Sequence, residues 1–148
     1  MGELFKIGFE LRRATEIYRE ERTITMDKRE LQKRLERLPR YQYVLLSGGS
    51  LVMRGLREQT RDVDICVSDG LAEELGIRDK MPNKHGFYEL RGNLDVTVGM
   101  NKVDYDMVDG YLCETLASIL RFKKGRNLPK DQKDIDAIEE YFAHQGRS

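Results

Sequence analysis

The chain has 148 residues, of which 39% are hydrophobic and 35% are charged, and its formal net charge is zero. This length fits one domain with a modest core, and a chain without excess positive charge is unsuited to coating nucleic acid, so stable nucleic-acid binding is not indicated. Cys66 and Cys113 are the only cysteines and lack the spacing of a zinc site or a disulfide framework, which makes a reducing cytoplasm the expected location. No apolar run approaches the ~20 residues of a membrane span, so we expect no membrane partner.

Residues 1–40 predict two helices. The first covers residues 9–22, where apolar residues recur at helical spacing. The second begins near Asp27, a residue suited to capping a helix, and stops at Pro39. Both helices are expected to serve packing. We interpret them as an N-terminal helical extension of a single domain whose core, with its C-terminal helices, spans residues 41–142.

The rest of the chain alternates short strands with helices. Apolar runs and period-two alternation predict the strands, and turn residues separate them. The predicted strands cover residues 43–46, 62–67, 87–90 and 94–98. The predicted helices cover residues 51–56, 71–75, 111–122 and 129–142, and Pro129 is a favoured residue of a first helical turn. This order predicts an α+β (mixed α/β) fold in which helices flank a small mixed β-sheet.

The turn Ser47-Gly48-Gly49-Ser50 joins the first predicted strand to a helix. Two glycines allow a close approach of the backbone to a ligand because neither carries a Cβ. A helix starting at Ser50 would direct free amide groups at an anion, and the Ser50 hydroxyl adds a donor. Such turns are also common where no ligand binds, so this turn alone does not identify a phosphate site.

Three acids have the placement expected of metal ligands. Asp62 and Asp64 share one face of a predicted strand, and two such charges are best tolerated with a hard cation such as Mg²⁺ between them. Asp95 lies on the polar face of another predicted strand, so pairing of the two strands would bring three carboxylates together, a set suited to two metal ions. The alternative is solvated acids on exposed strand faces. Asp104 and Asp106, in a predicted loop, are rival third ligands.

Taken together, these segments resemble the nucleotidyltransferase superfamily that includes DNA polymerase beta. The shared pattern is an apolar strand, a Gly-Gly or Gly-Ser turn, a short helix, Asp-x-Asp in the next strand and an acid in a later strand. Arg57 and Thr60, which lead into Asp62, resemble the same segment of small prokaryotic members. The closing pattern of such domains is similar to Lys124-Gly125-Arg126, Pro129-Lys130-Asp131 and Asp134-Ile135. The resemblance covers about residues 43–141.

The resemblance implies a nucleotidyltransferase-like fold. It also implies the activity of a metal-dependent nucleotidyltransferase, which moves a nucleoside monophosphate from an NTP to a hydroxyl. The acceptor would be a small molecule, a protein or an RNA end, and toxin–antitoxin and resistance-type members fall within this range. The implied metal and catalytic residues, for a site with two Mg²⁺ ions, are Asp62, Asp64 and Asp95. The implied nucleotide and phosphate ligands are Gly48, Gly49, Ser50, Arg57 and Lys130. Because the chain is short, either the acceptor is small or a second subunit, in a homodimer or with another partner, helps to bind it.

Two other interpretations stay open at this point. One is a catalytically inactive nucleotide-binding or regulatory protein of the same fold. The other is an unrelated α+β binding domain in which Asp-x-Asp is incidental. All three expected acids are present, which favours the active enzyme over its inactive relative.

Overall fold

A computed structural model of the chain describes residues 25–146, so the helix expected over residues 9–22 lies outside the described residues. The described helices are α1 (Lys28–Leu35), α2 (Ser47–Met53), α3 (Asp69–Glu74), α4 (Leu116–Arg126) and α5 (Gln132–Gly146). The strands are β1 (Tyr43–Leu45), β2 (Val63–Val67), β3 (Tyr88–Leu90), β4 (Leu94–Val98), β5 (Tyr105–Val108) and β6 (Tyr111–Glu114). No helix within the described range is long and apolar enough to cross a membrane.

The six strands form one mixed sheet in the order β3-β4-β2-β1-β6-β5. β1 lies antiparallel to β2 and parallel to β6, and β2 lies parallel to β4. Two antiparallel hairpins, β3–β4 and β5–β6, form the two edges. The expected α+β class with a mixed sheet flanked by helices is therefore confirmed.

The main core lies against one face of the sheet. Alternation along β2 turns Val63, Ile65 and Val67 toward this core, where none is exposed. α1 contributes Leu31 and Leu35 to the same cluster. A smaller cluster joins three helices, through Leu51 of α2, Leu116 and Ile119 of α4 and Ile138 of α5. The residues of β2 that alternate with the core residues therefore project from the opposite face of the sheet.

The start of α1 forms as the sequence predicts. The Asp27 side chain accepts a hydrogen bond from the backbone N–H of Glu30, and the Glu30 side chain accepts one from the backbone N–H of Asp27. This reciprocal arrangement satisfies amide groups that have no partner inside the helix. The helix itself ends at Leu35, one turn before Pro39.

The chain differs most from the sequence expectation between residues 104 and 115. The expected helix over residues 111–122 is wrong at its start, because Tyr111–Glu114 is strand β6 and α4 begins only at Leu116. The expected loop around Asp106 is wrong too, since this residue lies in β5. The cause is the Asp109-Gly110 pair, whose positive φ angles of 52° and 85° make a tight hairpin turn.

Two helix starts also differ from expectation. α2 begins at Ser47, four residues before the start expected from the sequence, so both glycines of the turn lie inside its first turn. The segment Pro129–Asp131 is a short 3₁₀ turn, and α5 follows it directly from Gln132.

Candidate active site

Asp64 of β2 and Asp95 of β4 are direct neighbours across the sheet. The parallel register pairs these two residues, with Ile65 paired to Val96 one step further along. Directly opposed residues of adjacent strands project to the same side, so both carboxyl groups lie on the face away from the main core. Their side chains lie close enough for each to alter the pKa of the other. The sequence expectation that the two acidic faces coincide is met for this pair.

Burial, reinforced by neighbouring negative charge, makes both acids hard to ionise. Burial raises the pKa of Asp95 to about 7 from an ordinary 3.8, and the charges of Asp64, Asp62 and Glu89 act in the same direction. Burial is also the largest cause that raises the pKa of Asp64, followed by the charge of Asp62. Two carboxyl groups that together prefer to keep a proton are groups that a bound cation would stabilise in the ionised form.

Asp62 lies at the edge of this pair. It precedes β2, its side chain is exposed, and its backbone carbonyl accepts a hydrogen bond of 3.0 Å from the Thr60 hydroxyl. The charge of Asp62 raises the pKa of both Asp64 and Asp95, so all three acids share one neighbourhood.

The donor set of the site suits magnesium. Within residues 25–146 no group of three or more His, Cys, Asp or Glu side chains is gathered closely enough to hold a metal ion by itself. Mg²⁺ is usually held by one or two carboxylates, with water and substrate phosphates supplying its other ligands. The Asp64–Asp95 pair therefore fits a metal ion that arrives together with a phosphate compound.

The two glycines of the turn have different surroundings. A Cβ at Gly49 would lie 2.8 Å from the Leu45 Cδ1 atom, so this glycine allows α2 to pack closely on β1. A Cβ at Gly48 would lie 3.0 Å from Nη1 of Arg57 and 3.1 Å from the Thr60 hydroxyl oxygen. Gly48 thus faces a guanidinium group and a hydroxyl, as a residue near an anion would.

Ser50 is held inside the fold. Its side chain is fully buried, and its hydroxyl donates a hydrogen bond of 2.8 Å to the backbone carbonyl of Glu114 and accepts one of 3.2 Å from Nε of Arg54. The hydroxyl joins α2 to β6 rather than facing solvent. Of the expected phosphate ligands in the turn, Gly48 has the surroundings closest to the expected role.

The two expected cationic ligands differ in placement. Arg57 is half exposed and its Nη1 atom lies 3.2 Å from Oδ2 of Asp134, at the start of α5. Lys130 lies exposed on the 3₁₀ turn. The structure brings Arg57 next to Gly48. Lys130 is not buried, and among the described residues it has no comparable contact with the turn.

A buried lysine stands beside the acids and was missed from the sequence. Lys123 of α4 is 4% exposed, and its Nζ atom lies 3.3 Å from Asp131 and 3.4 Å from Asp134. Its charge opposes the rise in the pKa of Asp64, which places it on the acid side of the sheet. Its burial could have been predicted from helical spacing, because Lys123 lies on the same buried face of α4 as Leu116 and Ile119. This pattern becomes visible only when the helix is taken to begin at Leu116.

Glu114 is a second residue that the sequence did not single out. As the last residue of β6 it projects to the side opposite Cys113, and therefore to the side of Asp64. Its Oε1 atom accepts a hydrogen bond of 2.9 Å from the backbone N–H of Ser47. The expected helix over this segment concealed it, since the strand alternation of Leu112 and Glu114 was not recognised.

Comparisons of the chain with family models, curated proteins and solved structures gave no match. Any function must therefore be argued from the arrangement of its own residues: two paired carboxyl groups, a glycine turn beside an arginine, and a buried lysine on the same side of the sheet.

Proposed function

We propose that the chain is a metal-dependent nucleotidyltransferase with a nucleotidyltransferase-like fold, which transfers a nucleoside monophosphate from an NTP to a hydroxyl of an acceptor. The observation that carries this proposal is the register of Asp64 with Asp95 on adjacent parallel strands, beside the strand that leads into the Ser47–Ser50 turn. Two half-buried acids with raised pKa values, neither of which forms an ion pair within residues 25–146, favour a site that receives its cation with a substrate.

In this proposal Asp64 and Asp95, with Asp62 at the edge, hold Mg²⁺. The bound metal would neutralise charge on the phosphates and activate the attacking hydroxyl. The Gly48 backbone, with Arg57 alongside, supports the phosphate chain of the nucleotide, because that side of the turn carries the Arg57 guanidinium group.

Further roles at the acids fall to Lys123 and to Asp95. Lys123 offsets part of the negative charge at Asp64, and Asp131 and Asp134 hold its ammonium group in position. Asp95, which lies beside Asp64 on the neighbouring strand, is the group we assign to accept the proton of the acceptor hydroxyl. The product pair is then the nucleotidylated acceptor and pyrophosphate.

A nucleotide-binding protein without turnover is the second candidate. The observation that favours it is the Glu114 carboxylate, which accepts the hydrogen bond of the first amide of the turn, from Ser47. One amide that would otherwise face a phosphate is thus already used. This candidate predicts NTP binding without transfer.

The decisive experiment measures binding and transfer separately. Binding is followed by the thermal stabilisation that each NTP gives with and without Mg²⁺. Transfer is followed by incubating the protein with α-³²P-labelled NTPs and a cell extract, and by separating small molecules, proteins and RNA. The acceptor class is then the fraction that carries label.

The matched variants are Asp64→Asn, Asp95→Asn and Asp69→Asn. Asp69 is an exposed acid of α3, 81% exposed in its side chain, and should leave labelling unchanged. We expect Asp64→Asn and Asp95→Asn each to lower labelling by a factor of at least about 100, in line with the loss of transition-state charge stabilisation. Binding without label in the parent protein would select the inactive relative. Neither binding nor label in a well-folded parent protein would point to an unrelated binding domain.

A further inference from the structure

Glu114 joins three elements at the start of α2. Its Oε1 atom accepts the backbone N–H of Ser47 at 2.9 Å, and its Oε2 atom accepts the hydroxyl of Ser118, in α4, at 2.7 Å. Its backbone carbonyl accepts hydrogen bonds from the Ser50 hydroxyl at 2.8 Å and from Nη2 of Arg54 at 3.0 Å. One residue of β6 thus fixes both ends of the Ser47–Ser50 turn.

Ser47, whose backbone N–H donates to the Glu114 carboxylate, has an unfavourable backbone conformation. Ser47 has a φ angle of 44°, in the left-handed region that residues with a Cβ adopt rarely. The chain bends there from β1 into α2, and the preceding residue is held by a hydrogen bond of 2.8 Å from its N–H to the backbone carbonyl of Asp64. A strained conformation of this kind persists only where surrounding contacts maintain it.

We propose that Glu114 is a positioning residue of the nucleotide site, which acts through Ser47. Its carboxylate holds Ser47 in the left-handed conformation and so sets the direction of the Gly48 amide that follows. The inference rests on the proposed function, because it assigns Glu114 to the turn that would support the phosphates. In this proposal Glu114 acts without touching the substrate, through the hydrogen bonds that its carboxylate oxygens accept from Ser47 and Ser118.

The obvious alternative role is that of an additional metal ligand. Glu114 lies near enough to Asp64 for its charge to contribute to the raised pKa of that residue. A glutamate that holds Mg²⁺ contributes largely through its negative charge, whereas a positioning residue needs only an oxygen acceptor for the Ser47 amide. The variant Glu114→Gln separates these roles because it keeps an oxygen for Ser47 and supplies an amide donor for the Ser118 hydroxyl.

Three kinetic results are expected. Glu114→Ala should raise the KM for the NTP by about tenfold with a smaller change in kcat, because a phosphate turn is used in the ground state and the transition state alike. Glu114→Gln should stay within about threefold of the parent. The double variant Glu114→Ala with Ser47→Gly should recover most of the lost affinity, since glycine adopts a positive φ without strain.

A second readout does not depend on activity. Hydrogen exchange of the backbone amides of residues 47–50 should be faster in Glu114→Ala than in the parent and unchanged in Glu114→Gln. The matched control is Glu139→Ala, which removes an exposed glutamate of α5 that pairs with Lys124. It should alter neither exchange in the turn nor the KM.

Each outcome decides the proposal. Equal damage from Glu114→Gln and Glu114→Ala would show that the charge matters and would overturn positioning. Unchanged exchange in Glu114→Ala would overturn it as well. If Glu114→Ala does not fold, recovery of folding by the added Ser47→Gly supports the proposal, and failure to recover refutes it. If the parent protein binds no NTP, the proposed function is wrong. The hydrogen-exchange measurement would still test whether Glu114 holds Ser47 in position.

Discussion

Asp131 is the carboxylate around which the buried lysine is organised, and its removal gives a stability prediction of defined size and pH dependence. The residue is 2% exposed. Its two oxygens accept hydrogen bonds of 2.6 Å from Nε and Nη2 of Arg126, and Oδ1 lies 3.3 Å from Nζ of Lys123. The substitution Asp131→Asn keeps the size of the side chain and removes the charge.

The magnitude follows from the pKa. Hydrogen bonding from Arg126 is the largest cause that lowers the pKa of Asp131, from 3.8 to about 2. Since one pKa unit corresponds to about 1.4 kcal/mol, ionised Asp131 contributes about 2 kcal/mol to folding at neutral pH. Lys123 keeps Asp134 at 3.4 Å, so the variant does not leave the buried ammonium group without a carboxylate. We therefore expect a loss of about 2–3 kcal/mol, below the roughly 3–5 kcal/mol of a fully orphaned buried charge.

The sign of the pH dependence is fixed by the direction of the shift. The pKa is lower in the folded than in the unfolded chain, so the stabilisation is complete above the unfolded value of 3.8 and is lost as the pH falls through about 2. The difference in stability between the parent and Asp131→Asn should be constant between about pH 7 and 5 and should narrow below about pH 4.

Urea denaturation of both proteins across this pH range measures the difference directly. The control is Asp136→Asn, in the same helical region, because Asp136 is exposed and accepts a hydrogen bond only from the Gln132 amide among the described contacts. A loss below about 0.5 kcal/mol in Asp131→Asn, as for an ordinary surface change, would refute the argument. So would a difference that does not narrow in acid.

Three further predictions concern packing, capping and charge. Gly49→Ala should destabilise the fold by about 1–3 kcal/mol, because the new Cβ would lie 2.8 Å from the buried Leu45 side chain. Gly125→Ala in α4 should instead stabilise the fold by about 0.5–1 kcal/mol, because its new Cβ meets nothing within 4 Å. Thermal unfolding of the two variants tests the contrast. Asp27→Ala should cost about 1 kcal/mol through loss of the α1 cap, measured by urea denaturation, and no change would mean that the cap is not formed. With divalent metal removed by a chelator, the raised pKa of Asp95, about 7 against 3.8, means that stability falls as the pH rises between these values. Asp95→Asn should make the stability depend less on pH in this range. A pH profile of stability that is the same in the variant as in the parent would contradict the raised pKa of Asp95.

Local patterns were sufficient for the part of the site that depends on alternation. The alternating apolar residues of β2 and β4 placed Asp64 and Asp95 on polar faces, and the structure has both strands and both faces as expected. The parallel pairing of these two strands belongs to the tertiary structure. From the sequence alone it could be stated only as an assumption.

The rest depended on contacts between distant segments. Asp109-Gly110 is a strong hairpin signal that went unused, so β5 and β6 were assigned to loop and helix. That error concealed Glu114, whose role requires the position of β6 beside β1. Its residue type does not mark Lys123 as buried, because a lysine is rarely buried, and its two carboxylate partners offset the cost of removing its charge from water.

The position of β1 in the sheet has a consequence for how the chain reaches its folded state. This strand is buried along its whole length and lies between β2, which follows it closely in sequence, and β6, which follows much later. One edge of β1 can be covered early during synthesis, but its other edge stays open until the β5–β6 hairpin has left the ribosome. Long-range strand pairing of this kind slows folding and leaves an apolar strand edge available to other chains. We therefore expect aggregation during expression to respond more strongly to changes in the β5–β6 hairpin than to changes of equal stability cost in α1.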